Sequence, residues 1–120
     1  MLFPVNEDLT SDVLISLMAW VAPFVLLNGL REELWFRGVF LKKYETFLGA
    51  RTANILAALI FAVTHFGVEY TPILLIFLGI TFLLGLIWGF IMQKTDSLLG
   101  SALFHAAMDI SVILGIFSYL

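Results

Sequence analysis

The run ILLIFLGITFLLGLIWGFIM at residues 73–92 contains no charged side chain, and it decides the fold class of this chain. Apolar runs of about 20 residues are typical of helices that cross the ~30 Å hydrocarbon core of a bilayer. Further apolar stretches lie at residues 13–30, 53–66 and 98–120, and the helical pattern of the first continues to about residue 44. The sequence therefore predicts an all-α membrane protein, a compact bundle of about four transmembrane helices.

The overall composition agrees with a membrane location. Hydrophobic residues make up 62% of the chain and charged residues only 12%, with a mean hydropathy of +1.07. This balance is far from that of a soluble domain. We expect residues 1–120 to form one transmembrane domain, preceded at residues 1–10 by a short acidic lead-in without the basic start of a signal peptide.

Charge and cysteine content exclude several function classes. The net charge is −3 and no basic patch is interleaved with aromatic residues, so no nucleic-acid partner is expected. The chain has no cysteine, which excludes disulfides and thiolate chemistry. The motifs H-E-x-x-H and G-x-S-x-G are also absent, so neither a site-2-type metalloprotease nor a serine mechanism is supported.

Basic residues outside the spans predict the orientation in the membrane. We expect loops at residues 42–51 and 93–97 and a turn at residues 67–72. The basic loop residues are Lys42, Lys43, Arg51 and Lys94. Four alternating spans put all of them on one side, which the positive-inside rule makes cytoplasmic. The expected protein is integral to a bacterial or archaeal plasma membrane, with both termini outside.

Ionisable residues recur within the spans in three motifs: E-E-L-W-F-R at 32–37, F-A-V-T-H at 61–65 and H-A-A-M-D at 105–109. Ionisable groups are costly inside a membrane, so such residues indicate a function. A rise of 1.5 Å per residue from the basic side puts Glu32, His65, His105 and Asp109 roughly 12–18 Å deep. The sequence therefore predicts one polar site at mid-membrane.

Helical spacing separates structural from chemical residues within these motifs. Glu33 and Arg37 are four residues apart, so they share a helix face and can neutralise each other in a poor dielectric. Glu32 points about 100° away and can face a cavity. A carboxylate beside imidazoles suits a general base, so Glu32 is the chemical candidate. Phe61 lies one turn from His65 and is a candidate support.

The three motifs, in this order and spacing, resemble those of the CPBP intramembrane proteases. This family includes type II CAAX prenyl endopeptidases and Abi-like bacteriocin-immunity relatives. The resemblance covers residues 28–109, which it marks as the catalytic core. It implies hydrolysis of a peptide bond in a membrane-embedded or lipidated substrate, such as a prenylated one. Glu32 then activates a water that His65 helps to hold, and His105 and Asp109 stabilise the oxyanion.

Two departures from the family pattern leave alternatives open. The family commonly has Asn at the position of Asp109, and Asp can donate a hydrogen bond only when protonated. Glu32, His65, His105 and Asp109 could instead bind zinc, although we expect a metal-free mechanism without a cofactor. Relatives usually carry further spans before the first motif. The chain is therefore expected to be a minimal member or a fragment, and a homo-oligomer could complete its groove.

Functions other than proteolysis also fit part of the pattern. A single intramembrane histidine often serves only as a hydrogen-bond donor between helices. The main alternative is a non-catalytic membrane module for immunity or binding, and a proton or cation transporter is a third hypothesis. No inverted repeat is visible in the sequence, which argues against transport.

Overall fold

The helices account for all the regular secondary structure in the described part of the chain. The computed structural model describes residues 10–67 and 73–117, with side chains to residue 115. Its elements are α1 (Ser11–Glu33), a π-helical segment (Leu34–Leu41), α2 (Lys42–Leu48), α3 (Ala50–Thr64), α4 (Leu74–Thr95) and α5 (Leu98–Phe117). The all-α prediction is confirmed. The lead-in at residues 1–9 and the turn at residues 68–72 lie outside the described residues.

Three helical rods are long and apolar enough to cross a membrane: Ser11–Leu48, Leu74–Thr95 and Leu98–Gly115. The first combines α1, the π segment and α2, as the continuous pattern through the first motif predicts. The fourth rod, α3, has 15 residues, so it is only ~22 Å long at 1.5 Å per residue. It is shorter than the ~30 Å hydrocarbon core. Its helix ends before His65, which has φ −91° and ψ 3°.

The loop predicted at residues 42–51 is wrong. The chain stays helical through Leu48 and breaks only at Gly49, which has φ 77° and ψ 162°. Glycine adopts this positive φ without the steric cost of a Cβ. The charges of α2 do not require a loop, because a helix that continues beyond the hydrocarbon exposes its side chains to water. Between α4 and α5 the connection is also short, with Asp96 in the left-handed region at φ 50°.

Small residues allow two pairs of helices to approach closely. A Cβ at Gly85 of α4 would lie 3.2 Å from Ala58 Cα of α3, and a Cβ at Gly89 would overlap Asn54 Oδ1 at 1.8 Å. The G-x-x-x-G pattern of these two glycines thus lets α3 and α4 pack closely. In the second pair, α1 and α5, a Cβ at Gly29 of α1 would lie 3.0 Å from the Ala102 carbonyl oxygen of α5. The bundle thus contains the close pairs α1–α5 and α3–α4.

Buried apolar clusters fill the space between these helices. They comprise Val21, Val25 and Ala106 between α1 and α5; Leu41, Ala53, Ala57 and Met92 near α2; and Phe36, Phe61 and Trp88 beside the polar motifs. The third cluster connects the π segment, α3 and α4, and so surrounds the motif residues with aromatic rings.

Polar contacts join α2 to the end of α4, so the basic residues of both lie at the same end of the bundle. Lys42 of α2 forms an ion pair with Asp96 after α4. Gln93 Nε2 donates to Glu45 Oε1 at 3.2 Å and to the Ala50 carbonyl at 2.8 Å. The Lys42 ammonium lowers the pKa of the exposed Asp96 carboxyl. That this end faces the cytoplasm stays a prediction from the positive-inside rule.

Candidate active site

Glu33 and Arg37 form an ion pair inside the bundle. Both side chains are 0% exposed, and Arg37 Nη1 donates to Glu33 Oε1 at 2.9 Å. Arg37 Nη2 donates to the Gly85 carbonyl of α4 at 2.8 Å. The guanidinium carbon also lies 4.7 Å from the centre of the Phe61 ring. The ion pair expected from the spacing is present, and it is fixed to α4 by a contact that the spacing did not indicate.

The π segment begins directly after the two glutamates. It covers Leu34–Leu41 and carries Arg37, while Glu32 and Glu33 are the last residues of α1. Short π-helical turns inside α-helices often occur at functional sites. Nothing in the composition of this stretch predicts a change of helix type.

His105 of α5 connects the acidic residues of the site. Its Nδ1 lies 2.9 Å from Glu33 Oε1, and its Nε2 lies 3.5 Å from both Glu32 Oε2 and Asp109 Oδ1. A carboxylate only accepts, so the short contact requires a hydrogen on Nδ1. One face of the imidazole is covered by an aromatic ring. The Trp88 ring stacks on it with 4.0 Å between ring centres and an interplanar angle of 12°. The ring is therefore fixed in both position and orientation.

Glu32 is placed differently from its neighbour Glu33. Its side chain is 17% exposed, and its Oε1 accepts from Arg31 Nη2 at 3.3 Å. Its Oε2 is buried and has no hydrogen-bond partner among the described residues. His105 Nε2 lies 3.5 Å from Oε2. Glu32 thus presents one free acceptor oxygen next to the imidazole.

Asp109 is held from α1 by an amide. Asn28 Nδ2 donates to Asp109 Oδ2 at 2.9 Å, and Asn28 Oδ1 accepts from Arg31 Nη2 at 2.9 Å. Since Arg31 also contacts Glu32, these residues and His105 form a closed ring of polar contacts. The ring joins the end of α1 to the middle of α5.

His65 lines the same cavity from the end of α3. Its Nδ1 lies 2.8 Å from the Phe61 carbonyl oxygen, an acceptor, so Nδ1 carries a hydrogen and Nε2 is the acceptor in the neutral ring. The Phe61 ring stands between the histidines, 4.5 Å from the His65 ring and 5.5 Å from the His105 ring. His65 is therefore near the ring of polar contacts but is joined to it through Phe61.

A cavity of about 870 Å³ opens onto all of these groups. Glu32, His65, His105 and Asp109 line it together. Most of its remaining wall is apolar and includes Phe24, Leu34, Trp35, Phe77, Ile80 and Leu84. Its size is within the range of small-molecule and cofactor sites. The arrangement offers a carboxylate and imidazoles at one part of an otherwise oily chamber.

The four candidate zinc ligands do not form a metal site. Among residues 10–67 and 73–117, no group of three or more His, Cys, Asp or Glu side chains has the arrangement that holds a metal ion. The described residues therefore do not support the zinc alternative.

Comparison with known proteins extends the agreement from the motifs to most of the chain. A family model described as Type II CAAX prenyl endopeptidase Rce1-like matches residues 14–111. The chain belongs to this family. No curated protein and no solved structure matches it. The matched range contains all three motifs, and membership groups the chain with intramembrane proteases of the CAAX type. The CPBP resemblance is confirmed.

Three residues of the site were not singled out by the sequence. Asn28 is four residues before Glu32, so helical spacing alone could have put both on one face. Arg31 directly precedes the first motif, and no spacing pattern indicates its contacts with Asn28 and Glu32. Trp88 was indistinguishable from core aromatics, because its contact with His105 depends on how α4 meets α5.

Proposed function

We propose that this Rce1-like protein is an intramembrane endopeptidase that uses Glu32 to activate a water molecule. The observation that supports this most directly is the asymmetry of the two adjacent glutamates. Glu33 is 0% exposed and is held by Arg37 and His105, whereas the Glu32 side chain is 17% exposed and lines the cavity in which a substrate could lie. In the described part of the chain, Oε2 of each glutamate has no hydrogen-bond partner, but Glu33 does not line the cavity. Glu32 therefore has the free lone pair that a general base needs.

The proposed reaction has two proton transfers. Glu32 Oε2 takes a proton from water as the oxygen adds to the peptide carbonyl carbon. The carbonyl π electrons move to oxygen and give a tetrahedral oxyanion. Glu32 then returns the proton to the amide nitrogen as the carbon–nitrogen bond breaks, which leaves a carboxylic acid and an amine. His65 Nε2 can accept the second hydrogen of the attacking water and so orient it.

His105 is the proposed donor to the oxyanion. In this proposal its Nε2 carries a hydrogen; the nitrogen lies 3.5 Å from Glu32 Oε2 and 3.5 Å from Asp109 Oδ1, at the polar part of the cavity. Fixed donors at the position where negative charge develops typically contribute 10²–10³ in rate, or about 3–4 kcal/mol. Asp109 acts on His105 rather than on the oxyanion, because an ionised carboxylate has no hydrogen to donate.

The apolar wall of the cavity supports a lipidated substrate. Aromatic and aliphatic side chains surround the polar groups, so a lipid chain that leaves the bilayer can lie among them without exposure to water. We propose a membrane-associated peptide that carries a prenyl chain, presented from the bilayer. A homo-oligomer that completes the groove stays a prediction.

Cleavage by reconstituted protein tests this function. A panel of prenylated, acylated and unlipidated membrane peptides is incubated with the wild type and with Glu32→Gln at equal folded amounts. We expect cleavage of the prenylated peptides, and a loss of about 100-fold or more in Glu32→Gln, the range for removal of a general base. Glu45→Gln is the matched control, because Glu45 accepts from Gln93 at the basic end of the bundle and does not line the cavity.

Each outcome has a distinct meaning. Equal cleavage by the wild type and Glu32→Gln would contradict the role of Glu32. If the folded wild type cleaves none of the peptides, the non-catalytic immunity or binding module becomes the better hypothesis. Cleavage of unlipidated peptides at the same rate would keep the protease and remove the prenyl chain from its specificity.

A further inference from the structure

The Asp109 carboxylate receives its short hydrogen bond from another helix. Asn28 Nδ2 of α1 donates to Asp109 Oδ2 at 2.9 Å, whereas His105 Nε2 approaches Oδ1 only to 3.5 Å. Holding one oxygen from α1 fixes the direction of the other. Without this bond the carboxylate could rotate about its terminal torsion, which is soft. The orientation of Asp109 toward His105 thus depends on Asn28.

Asn28 is itself held from its other end. Its Oδ1 accepts from Arg31 Nη2 at 2.9 Å, and the same Arg31 nitrogen lies 3.3 Å from Glu32 Oε1. The amide therefore accepts from a guanidinium with one atom and donates to a carboxylate with the other. Asp, which is of the same size, has no donor when ionised, and Leu has neither donor nor acceptor. The chemistry of this position requires an amide.

We propose that Asn28 is a positioning residue of the site. Its side chain bridges Arg31 to Asp109 and so holds the Asp109 carboxylate against His105, the ring that also contacts both glutamates. The role in turnover rests on the proposed protease function, whereas the effect on the His105 ring does not. The two can therefore be tested separately.

Histidine NMR tests the effect on the ring without a substrate. The chain has only two histidines, so ¹⁵N-histidine labelling in nanodiscs gives two imidazoles, assigned with a His65→Gln variant. We expect Asn28→Ala to shift the His105 ring signals and to leave those of His65 in place. Asn54→Ala is the matched control, because Asn54 Nδ2 also donates across a helix pair, to the Leu86 carbonyl at 3.0 Å, but does not line the cavity.

Kinetics tests the consequence for turnover. At equal folded amounts, Asn28→Ala should lower kcat about tenfold and change KM by less than twofold, the size expected for one hydrogen bond to a charged group. Asn54→Ala should change neither constant. A structural role would instead reduce the folded amount of both variants alike. It would leave kcat of the folded fraction unchanged.

A swapped pair keeps the test usable if Asn28→Ala folds poorly. Asn28→Asp puts two carboxylates within hydrogen-bond distance and should lower the unfolding temperature. Adding Asp109→Asn restores one donor and one acceptor, and should recover most of that loss. The proposal is overturned if Asn28→Ala leaves the His105 signals unchanged, or if the swapped pair is no more stable than Asn28→Asp alone.

Discussion

Replacing Arg37 by methionine should be the most destabilising single change in the described helices. The substitution keeps an unbranched apolar side chain but removes the partner of Glu33, and both residues are 0% exposed. It also leaves the Gly85 carbonyl without its donor. Removing one member of a buried ion pair typically costs 3–5 kcal/mol, because the other charge stays buried and uncompensated. We therefore expect Arg37→Met to lose about 3–5 kcal/mol of stability.

The size of this loss depends on the charge that remains, which a second substitution can remove. In the wild type, His105 Nδ1 lies 2.9 Å from Glu33 Oε1. In Glu33→Gln/Arg37→Met the glutamine oxygen can accept the same hydrogen bond, but no net charge is buried at that position. Replacing a whole buried pair is often neutral or stabilising. The double variant should accordingly be more stable than Arg37→Met, by about 2 kcal/mol or more.

Reversible unfolding in mixed detergent micelles provides the assay, with the free energy of unfolding measured for each variant. Arg51→Met is the control, because Arg51 is exposed and exposed ion pairs contribute at most about 1 kcal/mol. The argument fails if the double variant is as unstable as Arg37→Met, since the stranded Glu33 charge would then not be the cause. It also fails if Arg51→Met is equally destabilised.

Two further predictions concern helix packing and pH. Gly89→Ala should cost about 1–3 kcal/mol, because its Cβ would overlap Asn54 Oδ1, while Gly79→Ala, with open space around it, should be neutral in the same unfolding assay. Lys42 lowers the pKa of Asp96 from its ordinary 3.8, so the stability from this pair is present above pH 3.8 and lost as the pH falls further. Asp96→Asn should therefore be less stable than the wild type at neutral pH only, and a constant difference down to pH 2 would contradict this.

The sequence predicts the fold class and the residues of the three motifs well, for physical reasons. Uncharged runs of about 20 residues have few stable conformations outside a transmembrane helix. Residues four apart on a helix share a face whatever the rest of the fold, so Glu33 and Arg37 could be paired in advance. Membership of the Rce1-like family follows from the same local patterns. The catalytic roles stay predictions.

Features that depend on contacts between helices were not predicted. The charges at residues 42–51 suggested a loop, but a helix that leaves the hydrocarbon can keep its hydrogen bonds and still expose its side chains. The bond from Asn28 to Asp109 joins residues that are 81 positions apart, and no local pattern reports it. The π segment likewise has no composition of its own.

The difference between the two glutamates arises largely from a helix that carries no motif. Gly85 of α4 packs against Ala58, and a Cβ there would also lie 3.1 Å from Arg37 Nη2. Its lack of a side chain lets Arg37 reach the Gly85 carbonyl while pairing with Glu33. Arg37 is thereby held on Glu33, while Glu32 lines the cavity. The packing of α3 on α4 and the availability of the proposed base are therefore consequences of the same small residue.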